Sequence, residues 1–523
     1  MTTRPEVAET PGLPEAPGAA ARPAEAGASD ASAADAEHRL HPMSWLFVLL
    51  AQLRQFIVPL VALLVLGRRG ADGNELWPLI GVGVLALVSL WQYFTYRYGV
   101  IGDALVVRSG LFERSLRVIP FARIHNVALQ QSLLHRVFGV AEVRLESAGG
   151  NKPEAEMRVL RLSDALALET LVRERGASAA AAPRAADGAG ASVLLQLPTA
   201  EVLRLGLVSN RGMIVVGAAF AAASQFSPRL LPNLFERWGT TLFGWAGERQ
   251  FGVPEYALAA LSLFAAFVLL LRVFSLAIAL LQYHGFTLSE HGRRLTVERG
   301  LAARWRTSAS RRRIQAWTLR EGLLHRWLQR RSLEVDTAVA EQQNQPRALR
   351  ELAPIATPAA CDALIEHLLP KGQWSRLPWQ SLPLRHWWRL FLPSVPWVLL
   401  AGAALAWRFG GWGALALLWL PWSALAAYRR MRRAGYALGP ELVAVRGGWI
   451  NRHWRFAELD KLQALQLTRG PLDRRCGTAT LWLDTAGAGA MAPPLRIRFL
   501  ADTEAQALYA TLSRELAHRR LRW

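Results

Sequence analysis

Six apolar runs punctuate the chain in three close pairs, at Trp45 to Leu66, Leu76 to Phe94, Val202 to Ala223, Tyr256 to Leu281, Trp387 to Trp407 and Trp412 to Tyr428. Runs of this length constrain the fold more than any other feature. A backbone crossing hydrocarbon must satisfy every N–H and C=O internally, and about 20 helical residues are needed to do so. Each pair therefore reads as a helical hairpin spanning a bilayer, with the sixth run the shortest. A buried helix in a soluble core is the bland alternative, but such helices seldom stay apolar on every side for so long.

The hairpins open alike. His41-Pro42, Leu197-Pro198 and Leu382-Pro383 stand where proline can start a helix. Arg54, Arg211, Arg385 and Arg389 follow, at the depth where a long cation snorkels to headgroups. The first helix of each pair is thus expected to lie partly in the interface. Trp45, Trp387 and Trp388 at the openings, and Tyr93, Tyr283 and Tyr428 at the ends, suit interfacial anchoring. Six crossings place both termini and everything between the hairpins on one side. Arg429, Arg430, Arg432 and Arg433 follow the sixth run, whereas the third hairpin loop carries only Arg408. In the first loop Arg68 and Arg69 are offset by Asp72 and Glu75. The positive-inside rule then makes the shared side cytoplasmic. The longer loop from Ser224 to Val253, with Trp238, Phe243 and Trp245, suits an amphipathic segment on the outer leaflet.

What lies between the hairpins repeats. Arg123-Ile124-x-x-Val127-x-Leu129, then Ser132-Leu133-Leu134-His135-Arg136 and Gly139, returns 190 residues later as Arg313-Ile314-x-x-Trp317-x-Leu319, Gly322-Leu323-Leu324-His325-Arg326. A shift of 338 gives Lys461-Leu462-x-x-Leu465-x-Leu467, Gly470-Pro471-Leu472-Asp473-Arg474 and Gly477. The copies align without a gap from Leu105 to Ala148, so one module is used three times. Each reads as strand, turn, strand, short helix, strand and a longer closing helix. Gly110, Gly300 and Gly448 mark the hairpin turns. Ser132 suits the cap of the short helix, Pro471 its first position, and Gly139 and Gly477 its end. Leu133, Leu134, Val137 and Phe138 share one face of that helix, which turns the His-Arg pair outward.

The resulting order is a tail at 1–40, hairpin 41–95, module 96–176, linker 177–192, hairpin 193–282, module 283–371, hairpin 372–428 and module 429–523. Residues 1–37 and the Ala-rich linker hold almost no large apolar side chains and read as disordered, with no signal peptide. The net charge of +21 comes almost wholly from arginine and suits an anionic membrane surface better than nucleic acid, because the Arg clusters flank the apolar runs. Cys361 and Cys476 are the only cysteines, without disulfide or metal-ligand spacing.

The R-I-x-x-V-x-L, S-L-L-H-R-x-x-G, V-x-L order, set after a transmembrane hairpin and before an α-helix, resembles the bacterial pleckstrin-homology-like domain of YdbS/YdbT membrane proteins. The resemblance extends over nearly all of the chain beyond the tail and is closest to the longer, three-domain members. The second copy departs at Gln329, where the first has Gly139, and the third has Asp473 in place of His. The resemblance implies a membrane protein of six transmembrane helices in three hairpins, with three PH-like β-barrel domains each closed by a C-terminal helix. It also implies no established catalysis, no cofactor, and a smaller partner carrying one hairpin and one such domain.

No nucleophile, metal or phosphate-loop motif is present. His135 and His325, in separate modules, read as solvated helix residues rather than metal ligands. Candidate contacts to anionic headgroups are Arg293, Arg294, Arg311, Arg312, Arg313, Arg429, Arg430, Arg432 and Arg433. Arg272 is the most unusual residue, about 16 Å below Tyr283 by helical rise, with no acidic residue in any apolar run. Such burial costs on the order of 3 kcal/mol without a partner. It marks either a polar site within the helices or a snorkelling side chain. The leading expectation is a non-enzymatic scaffold at the cytoplasmic leaflet of a bacterial plasma membrane, binding partner proteins or anionic lipid, in a setting such as envelope stress or antimicrobial defence. The alternative is a transporter or lipid-handling protein with Arg272 on its path. Oligomeric state is not written in the sequence.

Overall fold

A strand placed before each hairpin pairs with the first strand after it. In the computed structural model His38–Arg39 pairs antiparallel with Arg97–Ile101, Ser192–Gln196 with Thr287–His291, and Trp379–Ser381 with Gly435–Leu438. The structure describes residues 38–53, 77–110, 115–147, 155–178, 192–226, 252–337, 349–486 and 492–518, with short pieces between 232 and 244. Residues 1–37 of the expected tail, most of the linker, Arg54, the first hairpin's turn, and Phe243 and Trp245 lie outside the described residues, while His38–Arg39, counted with the tail, is strand. Residues 193–196, counted with the second hairpin in the sequence, are strand.

Two units are distinguished. One comprises residues 1–40 and 52–119 and holds a four-stranded sheet with the helix Trp77–Thr95. The other comprises residues 41–51 and 120–523. Inside this second unit, sheets are shared between consecutive modules. Ile124–Gln131 of the first module pairs with Arg304–Ser310 of the second, joining three strands to four in one seven-stranded sheet. Ile314–Glu321 of the second pairs with Arg452–Glu458 of the third in the same way. The registers are equivalent: Gln131 faces Arg304 and Glu321 faces Arg452, at matching positions of the repeat. The third module ends in a separate three-stranded sheet, Leu462–Thr468, Thr478–Thr485 and Arg496–Ala501.

The joint between the second and third modules is well packed. Trp317 and Phe456, cross-strand partners, stack with ring centroids 6.1 Å apart. Beside them Arg455 is 2% exposed, donates to Thr318 Oγ1 at 2.8 Å, and lies 2.6 Å from Asp336. A charge this deep is tolerable only with such partners. Each module closes with a helix packed on the strands that immediately precede it: Leu162–Ser178, Pro358–Leu368 capped by Thr357, and Asp502–His518.

Two helical stretches, Pro254–Tyr283 and Leu384–Arg433, are long and apolar enough to cross a membrane. The pair Thr199–Val208 and Arg211–Ala222, bent by 58°, makes a third if taken as one span. Ser44–Leu53 and Ile80–Thr95 are shorter apolar helices. Six full spans are therefore not all present among the described residues. The stretch Leu384–Arg433 doubles back near Gly410: the Trp387 ring meets Tyr428 at 6.3 Å, and Ser394 Oγ lies 3.3 Å from Ser423 Oγ. Leu261, Phe264, Leu400 and Trp407 are all more than 60% exposed, which suits lipid rather than water around these helices.

The repeat dictates backbone conformation as well as pairing. Gly110, Gly300 and Gly448 all have positive φ, and so do Gly139, Gln329 and Gly477 at the end of the short helix. Gln329 thus adopts at φ 53° what its counterparts achieve with glycine. Left-handed backbone costs a side-chain-bearing residue about 1 kcal/mol. Gln329→Gly is expected to raise thermal stability of the detergent-solubilised protein, and Gly139→Ala to lower it, each by up to about 1 kcal/mol.

Candidate functional site

Arg272 answers the break in the second hairpin. Its guanidinium donates to the carbonyl oxygens of Leu207 at 2.8 Å and Ser209 at 3.1 Å, where the helix Thr199–Val208 ends. Ser275 Oγ also donates to Ser209 O at 2.7 Å. A bend leaves terminal carbonyls without helical partners, and in an apolar setting each needs a donor. Close approach of the helices is secured by glycine: a Cβ on Gly206 would lie 2.8 Å from Leu276 Cα, and one on Gly212 would collide with Leu271 O. Small residues at such a crossing let two helices touch.

Just below the bend lies a cavity of about 540 Å³ between the hairpin and the second and third modules. Arg211, Arg272, Arg320 and Arg452 line it with Glu321, Glu334, Glu351, His325 and His453. Most of these charges are matched. Arg211 lies 3.0 Å and Arg299 2.8 Å from the two oxygens of Glu351, which also accepts from the Tyr283 hydroxyl. Both guanidiniums sit over the Tyr283 ring, at 4.6 and 4.9 Å. Arg320 lies 3.4 Å from Glu334 and Arg452 3.5 Å from Glu321. Burial pushes the Glu351 carboxyl up, but Arg299 and Arg211 more than offset this and hold it below the usual carboxylate range. Burial keeps both His325 and His453 below the usual imidazole range, so they are neutral at pH 7. The result is a polar, nearly charge-balanced chamber.

The position occupied by His135, His325 and Asp473 differs from the sequence expectation. It faces the hairpin rather than solvent. His135 is 9% exposed and packs under the Phe47 ring at 4.2 Å, while Leu133 and Val137, expected inside, are 60% and 79% exposed. His325 lines the cavity. Asp473 caps its helix through Gly470 N at 2.9 Å and meets Arg389 of the third hairpin at 2.7 Å, with Thr478 joining both. The amphipathic pattern of a five-residue helix was too short to distinguish its two faces. A capping signal identified Ser132, but no local signal identifies Phe47 or Arg389 as partners.

Among the remaining sequence candidates, only Arg272 lines the cavity. Arg311 is fixed to Glu290 at 2.8 Å and to the C-terminal carbonyls of the helix Pro358–Leu368. Burial lowers Arg313 to about 10, and Arg294 is half-buried. Arg433 lies over the Trp454 ring at 5.1 Å. Arg293, Arg312, Arg429, Arg430 and Arg432 are exposed. Burial pushes the Cys361 thiol up to about 12, which leaves it protonated and unreactive. Arg389, expected to snorkel, is instead bound to Asp473 and lies over Phe499.

A family model for the bacterial PH domain matches residues 46–176, 243–360 and 390–516. A similar protein is the UPF0699 transmembrane protein YdbT of Bacillus subtilis (strain 168), 21% identical over 460 residues, covering 84% of this chain and 90% of that protein. No solved structure matches.

Two outcomes follow for the hairpin contacts. Arg272→Leu is expected to destabilise the protein by about 2 kcal/mol in a detergent melt, because two carbonyls lose their donor. Glu351→Gln is expected to cost about 1 to 3 kcal/mol at pH 7, because two charge-assisted hydrogen bonds are weakened. The folded Glu351 pKa lies below its ordinary 4.5, so the contribution is complete above that value and is lost as pH falls through the folded one. Melting curves of the two proteins should therefore converge in acid.

Proposed function

The chain belongs to the bacterial PH domain family, and from that premise we propose that it is a non-enzymatic, multi-pass membrane scaffold. Three hairpins hold three PH-like modules at the cytoplasmic leaflet, where the modules bind partner proteins or anionic lipid. The observation that carries this reading is the strand pairing across each hairpin. Gln196 faces Thr287, Ser381 faces Gly435 and Arg39 faces Arg97, so each hairpin leaves and rejoins its sheet at one place. An excursion that starts and finishes at one sheet crosses a bilayer an even number of times. All modules then share one side, as the exposed Arg429, Arg430 and Arg432 beside the third hairpin also favour.

Apolar helices and a transmembrane relative agree with a membrane location, and no catalytic activity is indicated. The shortness of the sixth run is eased by its geometry. Gly410–Leu418 is 3₁₀ helix, which advances about 2.0 Å per residue against 1.5 Å in an α-helix. Several weak module sites tethered to one membrane act together, so avidity can replace a single tight pocket. The natural partner under this reading is a smaller family member with one hairpin and one module, and the physiological setting is envelope stress or antimicrobial defence. No observation favours a transport path, since Arg272 is engaged by backbone carbonyls.

Orientation is tested by single-cysteine labelling in intact cells, with Cys476 replaced by serine. Arg408→Cys should react with a membrane-impermeant maleimide and Arg430→Cys only after permeabilisation. Labelling of both from one side would overturn the topology. Replacing Arg429, Arg430 and Arg432 with glutamine should weaken stabilisation by anionic over zwitterionic lipid, at about 1 kcal/mol per arginine. A smaller membrane protein should co-purify and be lost when the modules are deleted.

A further inference from the structure

The internal joints follow one rule, and that rule leaves two matching ends. In the first joint Leu129 faces Arg306 and Val127 faces Ser308; in the second Leu319 faces Trp454 and Trp317 faces Phe456. The repeat places Leu467 and Leu465 of Leu462–Thr468 at the positions of Leu129 and Val127. It places Leu116 and Val118 of Ser115–Pro120 at the positions of Arg306 and Ser308. Yet, among the described residues, Leu462–Thr468 is the outermost strand of its sheet and Ser115–Pro120 the outermost strand of the four-stranded sheet. We infer that these two edges pair with each other between copies of this chain, head to tail, so that the array of modules continues from one molecule into the next.

Three observations favour a second copy as the occupant. Continuing the internal register sets Leu467 against Leu116 and Leu465 against Val118, apolar against apolar, while Leu116 and Val118 are 39% and 52% exposed. The strand Leu462–Thr468 carries no charge, and an uncharged open edge is one that proteins usually blunt or cover. Finally, each internal joint has an arginine clamp. Arg136 Nη1 donates to Leu301 O at 3.0 Å, and its counterpart Arg326 donates to Trp449 O at 3.4 Å, in the turn of the following module. Arg474 is the third member of this series and is exposed, beside the unpaired edge of its own module. Because the two edges are different surfaces, the contact is heterologous and generates a ring or an open row in the membrane plane. This goes beyond the scaffold reading, since it concerns self-assembly and holds whatever the modules bind.

The test uses two differently tagged full-length chains, co-expressed in membranes and both carrying Cys476→Ser. One bears Leu116→Cys and the other Leu467→Cys, residues that antiparallel pairing brings within reach of a disulfide or short bis-thiol crosslinker. The expected result is a mixed-tag dimer that forms at least about tenfold less with Gln466→Cys, on the opposite strand face, in place of Leu467→Cys. Arg474→Ala should reduce its yield severalfold. Leu116→Lys with Val118→Lys, at exposed positions that leave each chain folded, should abolish co-purification of the two tags. Absence of the mixed dimer, equal yield from the Gln466→Cys control, or crosslinking of Leu467→Cys to a different protein would each overturn the inference. So would a doubly substituted chain that closes only on itself.

Discussion

Backbone hydrogen bonding between a strand before each hairpin and a strand after it is the constraint on which the rest depends. A helical hairpin has no intrinsic reason to return to its starting point. Pairing Ser192–Gln196 with Thr287–His291 forces it to do so and makes the apolar excursion an insertion within one sheet. The side-chain contacts at the base follow from this closure. Arg211 reaches Glu351 and Arg389 reaches Asp473 because the closed sheet holds each of these hairpin feet against its module.

The same contacts explain why one repeat position tolerates different chemistry. An imidazole under an aromatic ring, an imidazole in a polar chamber and a carboxylate facing a guanidinium occupy positions 135, 325 and 473. What is held in common is the left-handed residue that ends the short helix, Gly139, Gln329 or Gly477. Each side chain answers its own hairpin. A shared ligand is therefore not needed to account for the position, and Asp473 replaces histidine where Arg389 supplies the opposite charge.

Much of the architecture was legible in the sequence because it is local or periodic. Apolar run length identified the long helical stretches Pro254–Tyr283 and Leu384–Arg433, the 190- and 338-residue shifts identified the modules, and coincident glycines identified turns whose φ is positive. The lead strands were not legible. His38–Arg39 has two residues and Trp379–Ser381 three, too few for any alternation to register. Sheet sharing was hidden for a different reason: the pairing of Leu319 with Trp454 joins residues far apart in the chain, and a strand sequence does not say which neighbour it will meet. Arg272 was recognised as costly, but its acceptors are backbone carbonyls, which no side-chain pattern reveals.

Sharing sheets alters what a module boundary means. In an array of beads each module would carry its own complete core, whereas here Phe456 of the third module stacks on Trp317 of the second and meets Trp374, which precedes the strand Trp379–Ser381, at 4.5 Å. The core under the second module draws Ala437, Leu442 and Ala444 from the third and Leu197, Val202 and Leu205 from the second hairpin. Cooperativity then runs across module boundaries, because unfolding one module exposes apolar surface on the next. A hairpin inserted in such a sheet is coupled to the same core. The cavity beneath the bend has the same composite character, since its lining comes from the hairpin and from both modules that meet there.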